Sequence, residues 1–183
     1  PEQLNTSLTY SPKPNPQRLQ PRISEQLTAQ GFNEILNNSL TKTAYYESLQ
    51  ALPLSECVKI KNPLSQDLGV MRQTLLFGGL ESIQRNTNRR NSDLKFYEFG
   101  NCYHFHAEAE TVEGNTLARY SEEPHLALWL TGNKSATSWL RKDEKTSFYA
   151  LRAYVNGVLT RMGVDTTKLT LTPIEANELY SDG

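Results

Sequence analysis

Lys61-Asn62-Pro63-Leu64-Ser65, Asp67-Leu68-Gly69-Val70-Met71-Arg72-Gln73-Thr74-Leu75-Leu76 and Phe96-Tyr97-Glu98-Phe99-Gly100-Asn101-Cys102-Tyr103 all fall within residues 61–103, and their reading decides the fold. Pro63 fixes φ, and Asn62 and Ser65 offer local hydrogen bonds, so a turn is expected between short strands at 57–61 and 68–72. From Thr74 onward, Leu76, Leu80, Ile83 and Thr87 share one helical face while Gln84, Arg85, Asn88 and Arg89 point elsewhere. This predicts a helix over 74–91. The segment 93–105 carries bulky groups on both faces, the pattern of a strand in the middle of a sheet.

Upstream, Leu19, Ile23 and Leu27 recur at helical spacing. Pro21 suits only a first turn and Gly31 suits a C-terminal cap, so a helix is expected over 19–30. The alternation after Phe32 predicts a strand over 32–40, and Thr41 is placed to cap a short helix through Ser48. Downstream, the acidic stretch 107–123 holds the turn signal Glu113-Gly114-Asn115 and leads into a strand over 124–132, which makes a hairpin with a solvated tip. Phe148, Leu151, Val155, Val158, Leu159 and Met162 predict an amphipathic helix over 146–162. Gly157 weakens it by about 1 kcal/mol relative to Ala, which close packing against a strand would explain. A last strand is expected over 168–172. Hairpins between helices argue for an α+β domain, a mainly antiparallel sheet flanked by helices.

Residues 1–15, rich in Pro, Asn and Ser, read as a linker from a preceding domain, with 16–183 as one core module. The chain has no initiator Met and stops in the polar stretch Tyr180-Ser181-Asp182-Gly183, so it reads as a piece of something longer. Its formal charge of -1 gives no long-range attraction to phosphate or acidic membranes, and any RNA contact would have to be a local patch. Cys57 and Cys102 lie in apolar strand-like runs and read as buried small side chains, without zinc-site spacing. With no membrane-length apolar stretch and no signal peptide, a reducing cytoplasm fits best, and the sequons at Asn5, Asn37 and Asn133 are chance matches.

The wording Asn-Pro-Leu-Ser at 62–65, Met-Arg-Gln-Thr-Leu-Leu at 71–76 and Arg-Asn-x-Asn-Arg-Arg at 85–90 resembles the class II aminoacyl-tRNA synthetase core. Within that class it resembles the non-catalytic β chain of bacterial phenylalanyl-tRNA synthetases. Gly31-Phe32-Asn33-Glu34-Ile35 is similar to the first class II motif, which the resemblance makes a subunit interface. Glu98 to His106 is similar to the second, with His104 where the family has an ATP-gripping Arg and His106 where it has a Glu. An imidazole offers one donor and little charge near neutral pH, whereas a guanidinium offers a permanent charge and a fork, so no catalytic residue is expected. The third motif, a Gly-rich helix ending in a second Arg, has no match over 107–183. One departure is Phe77-Gly78, where relatives are expected to hold Pro-Gly.

The resemblance implies a structural module that pairs with the catalytic α subunit and meets tRNA(Phe) through the whole enzyme. ATP and Mg are used by the holoenzyme, and no cofactor, metal or membrane contact is expected in this chain. The runner-up readings are an active adenylate-forming ligase domain and a free-standing RNA-binding module. His104 and His106 could instead be a metal pair, since residues two apart on a strand share a face, but no third ligand is evident. Arg85, Asn86 and Arg89, with Asn88 and Arg90, form a basic helix end suited to dipole compensation, a partner chain or phosphate. Phe32 is placed with the interface element. Arg72, between apolar neighbours, needs a carboxylate or carbonyls if buried, and is expected to organise the core or the interface. Trp129 and Trp139 read as core anchors, and Lys142-Asp143-Glu144-Lys145 as a solvated loop.

Overall fold

Asn15 starts the first helix about one turn earlier than the apolar spacing implies. In the computed structural model, which describes residues 15–109, 117–135, 137–140 and 142–181, its side-chain oxygen accepts from Gln17 N at 3.0 Å. Pro16 follows with its φ already set, and α1 runs Pro16–Ala29. Pro21 therefore lies inside the helix, not in its first turn, which corrects the expected start at 19. Gly31, at φ +86, closes α1, and Phe32 N reaches back to Leu27 O at 3.0 Å. The rest of the expected linker, the turn at Glu113-Gly114-Asn115 and the last two residues fall outside the described residues.

The central strand forms where expected, beginning at Lys95 instead of Asp93. β4 (Lys95–Phe105) pairs antiparallel with β5 (Tyr120–Leu130) along its whole length, from Lys95 opposite Leu130 to Phe105 opposite Tyr120. The hairpin's second strand thus starts four residues before the expected 124. β1 (Asn33–Glu34) lies parallel on the other side of β4, giving the order β1-β4-β5.

The strand expected over 32–40 is cut short. After Ile35 N bonds to Tyr97 O at 2.8 Å, Asn37 turns its backbone N–H to the Glu98 side chain, which ends the ladder. Leu40 and Thr41 form a separate strand, β2, antiparallel to β3 (Val70–Met71). Thr41 caps no helix; Thr43–Tyr45 is a single 3-10 turn. The strand at 57–61 reduces to one bridge, Lys59 to Val70, and that at 68–72 to β3.

The two faces of β4 have separate cores, because its side chains alternate. Tyr97 and Phe99, with Leu126, Leu128 and Leu130 of β5, meet Ile23 and Leu27 of α1 and Val158 and Tyr154 of α3 (Phe148–Arg161). Phe96 and Cys102, with Trp129, meet Leu75, Leu94 and, from α2 (Leu76–Thr87), Ile83. A third cluster, around Tyr46, Cys57 and Val70, takes up Phe77. Phe77 stacks on Tyr45 at 4.8 Å and meets Tyr46 edge-on at 5.5 Å, so this side chain ties α2 to the cluster.

Four further expectations are corrected. Trp129 is buried against α2, but Trp139 is 96% exposed and anchors no core of the described residues. The helix over 74–91 ends at Thr87, leaving Arg89 and Arg90 in the following turn, where Arg90 has φ +65. No strand forms over 168–172: Thr166–Lys168 is a 3-10 turn capped by Asp165, and Leu169 and Leu171 are exposed. Gly157 gives room to another helix, not to a strand, since a Cβ there would come within 3.1 Å of Gln26 Nε2 on α1.

Burial raises the Tyr46 hydroxyl from 10.0 to about 12, while Gln73 N donates to its oxygen at 3.1 Å. Burial also pushes the Cys57 and Cys102 thiols up. A group raised in the folded state contributes stability that is complete below its unfolded pKa and is lost as pH rises toward the folded one. Stability should therefore fall between about pH 9 and 12, with Tyr46 alone contributing on the order of 2–3 kcal/mol of that loss. Chemical denaturation across this range checks it: Tyr46→Phe should start less stable by about 1 kcal/mol, having lost the bond to Gln73, and should decline less steeply.

Candidate functional site

Glu98 is a carboxylate in the middle of an apolar strand, and it needs a cation or several donors to be buried. It has 0% exposure, and Arg72, 6% exposed, meets it with Nη1 2.8 Å from Oε1. Arg72 is delivered there by the turn after β3. Its backbone N bonds to Ser39 O at 2.9 Å, and its carbonyl accepts from Tyr103 N at 2.9 Å. The guanidinium also donates from Nε to Asn101 O at 2.9 Å and from Nη1 to Asn37 O at 3.3 Å.

Asn37 completes the arrangement, with all four of its polar groups engaged. Its backbone N–H and Nδ2 donate to the two Glu98 oxygens at 3.1 and 2.7 Å, its carbonyl accepts from Arg72, and its Oδ1 accepts from Ser82 Oγ at 3.0 Å. Gly78 lets α2 come this close, since a Cβ there would fall 2.9 Å from that of Asn37. One buried pair thus joins β4, the segment after β1, the turn after β3 and α2. A cavity of about 240 Å³ beside it is lined by Leu36, Asn38, Thr74, Phe77, Glu81 and Arg85, among others.

The sequence singled out Arg72 but not its partners Glu98, Asn37 and Ser82. The signal for Glu98 was present, as a charge framed by Phe96, Tyr97 and Phe99. Asn37 and Ser82 gave none, because their roles depend on how α2 docks.

His104 and His106 lie at the far end of β4, outside the buried part. Their rings stack at 6.4 Å, and His106 Nε2 is 2.8 Å from Ser121 Oγ across the hairpin. Among the described residues no cluster of three or more His, Cys, Asp or Glu could hold a metal. Phe32 is on the opposite face of the sheet from Arg72, buried and edge-on to Tyr154 at 4.9 Å. Arg85 is exposed in the last turn of α2, Asn86 Nδ2 bonds to Ser82 O at 2.8 Å, and Arg89 follows in the turn. The structure brings Arg72 and Arg85 to one cavity and His104 beside His106, but Phe32, Asn86 and Arg89 do not line that cavity.

On the rim of the third cluster, Tyr45 donates its hydroxyl to Glu81, which holds that carboxyl below its ordinary range and raises the phenol; Lys42 Nζ lies 3.4 Å from the same carboxylate. This ties the 3-10 turn to α2.

A sheet with one parallel edge strand, a long central hairpin and helices on both faces is a class II aminoacyl-tRNA synthetase-like fold. Pyrrolysyl-tRNA synthetase from Desulfitobacterium hafniense superposes with a TM-score of 0.60 at 15% identity, over 91% of this chain and 52% of that one. An ATP phosphoribosyltransferase regulatory subunit/histidyl-tRNA synthetase from Bacillus halodurans C superposes at 0.55 and 13% identity, over 81% and 34%. Residues 1–182 match the family described as the phenylalanyl tRNA synthetase beta chain CLM domain, and the chain belongs to that family. It is 52% identical to the phenylalanine–tRNA ligase beta subunit of Bacteroides fragilis over 99% of its own length, and 53% identical to that of Bacteroides thetaiotaomicron over 93%. It spans about a fifth of these relatives, 22% and 21% of their lengths.

Proposed function

We propose that this chain is the structural, non-catalytic core module of a phenylalanine–tRNA ligase β subunit, working in the cytoplasm and pairing with the catalytic α subunit. The α subunit would activate phenylalanine with ATP and Mg, and tRNA(Phe) would be held by the whole enzyme. The observation that carries this reading is the filled face of β4: where a ligand floor would need open polar groups, Glu98 is consumed by Arg72 and Asn37. At the end of the same strand, His104 and His106 supply neither a guanidinium fork nor a carboxylate. The chain's own residues would then do mechanical work, holding β4, α2 and the segment around Asn37 as one rigid body.

His104→Ala/His106→Ala in the assembled enzyme tests this. Because the two side chains would take no part in chemistry, aminoacylation kcat/KM should stay within about twofold of the unaltered enzyme. A positioned acid, base or phosphate contact is worth about a hundredfold or more. A loss of that size, matched in ATP–pyrophosphate exchange, would place these histidines in the reaction and reject the scaffold reading.

A further inference from the structure

Arg72 is held in the way a bound ligand is held. Its Nε and Nη1 donate to Asn101 O, Asn37 O and Glu98 Oε1 at 2.9, 3.3 and 2.8 Å. Nη2 lies over Gly100, where a Cβ would come within 2.2 Å of it, so the bare glycine makes space for the flat cation. The acceptors have fixings of their own. Glu98 and Asn101 belong to the β4–β5 ladder, and Asn37 is tied to Ser82 and to both Glu98 oxygens.

We infer that Glu98, Asn37 and Asn101 form a guanidinium-binding site on the face of β4, which the chain fills from within with Arg72 and so closes to any outside cation. A carboxylate and two carbonyls reached from two different nitrogens, Nε and Nη1, suit a fork with several N–H donors. An ammonium ion, a compact point charge, carries all its donors on one nitrogen and cannot reproduce this two-nitrogen fork. The inference needs only the geometry around β4 and stands apart from the pairing with an α subunit.

Arg72→Ala in the full-length subunit tests it. The substitution removes the side chain beyond Cβ, and the missing piece has the shape of N-ethylguanidinium. Millimolar N-ethylguanidinium, well below denaturing concentration, should raise the melting temperature of this variant by about 3 °C or more, since a ligand that binds only the folded state stabilises it by mass action. The unaltered protein should show no rise. Ethylammonium should give no rescue, and Glu98→Gln placed in the Arg72→Ala background should abolish the effect. If Arg72→Ala alone does not fold, the readout becomes recovery of far-UV circular dichroism on adding N-ethylguanidinium. Failure to rescue in either form, equal rescue by ethylammonium, or rescue that persists with Glu98→Gln would overturn the site.

Discussion

Arg72→Met is expected to lower the unfolding free energy by about 3–5 kcal/mol. The reason is what stays behind: a fully buried Glu98 carboxylate with no cation, held in place by Asn37. Breaking a buried pair from one side costs more than the pair contributes as a whole, because the remaining charge keeps its desolvation penalty. Arg72→Met/Glu98→Gln should therefore lie closer to the unaltered protein than Arg72→Met alone. Urea denaturation of the unaltered protein, the two single variants and the double variant measures this directly. A double variant as unstable as the sum of its two singles would show that no coupling between Arg72 and Glu98 exists.

Gly79→Ala should be the second large effect, at about 3 kcal/mol, near the upper end of the usual range for overpacked cores. Gly79 is the buried residue of α2, and a Cβ built on it would fall 2.1 Å from the Trp129 ring. The obstacle is a rigid indole, itself clamped between Phe96, Leu75 and Leu94, so either the helix lifts or Trp129 leaves its place. A shift in tryptophan emission together with a lower melting temperature would report the movement. Unchanged stability would mean that α2 is free to rise from the sheet, contrary to its role in holding Asn37 through Ser82.

The sequence made the central hairpin and the helices legible because their signals are local. Eleven residues with bulky groups on both faces leave few options other than a middle strand, and Leu19, Ile23 and Leu27 mark a helix whatever surrounds them. Elements that depend on distant partners were not legible. The run after Phe32 alternates like a strand, yet it leaves the sheet because Asn37 finds a carboxylate sixty-one residues away. Leu169 and Leu171 alternate too, but among the described residues no strand lies beside them.

The functional positions divide in the same way. That Arg72 needs a counter-charge follows from its apolar neighbours, and His104 and His106 stand out through their spacing on a strand and through the family resemblance. That Glu98 is the counter-charge, and that Gly100 leaves room for the guanidinium, follows from the register of β4 and from the turn after β3, which no pattern within either segment encodes. Trp139 shows the reverse case. Composition alone places a tryptophan in the core, but here it stands in solvent while Trp129, on a strand, is buried.

Sedimentation of this chain mixed with the phenylalanine–tRNA ligase α subunit of the same organism, with ATP and phenylalanine binding to the chain alone measured alongside, tests the scaffold claim most directly. A complex that forms while the isolated chain binds neither ligand is the predicted result. Binding of ATP or phenylalanine by the chain alone, with no complex formed, would contradict it and return the fold to the enzymes it resembles.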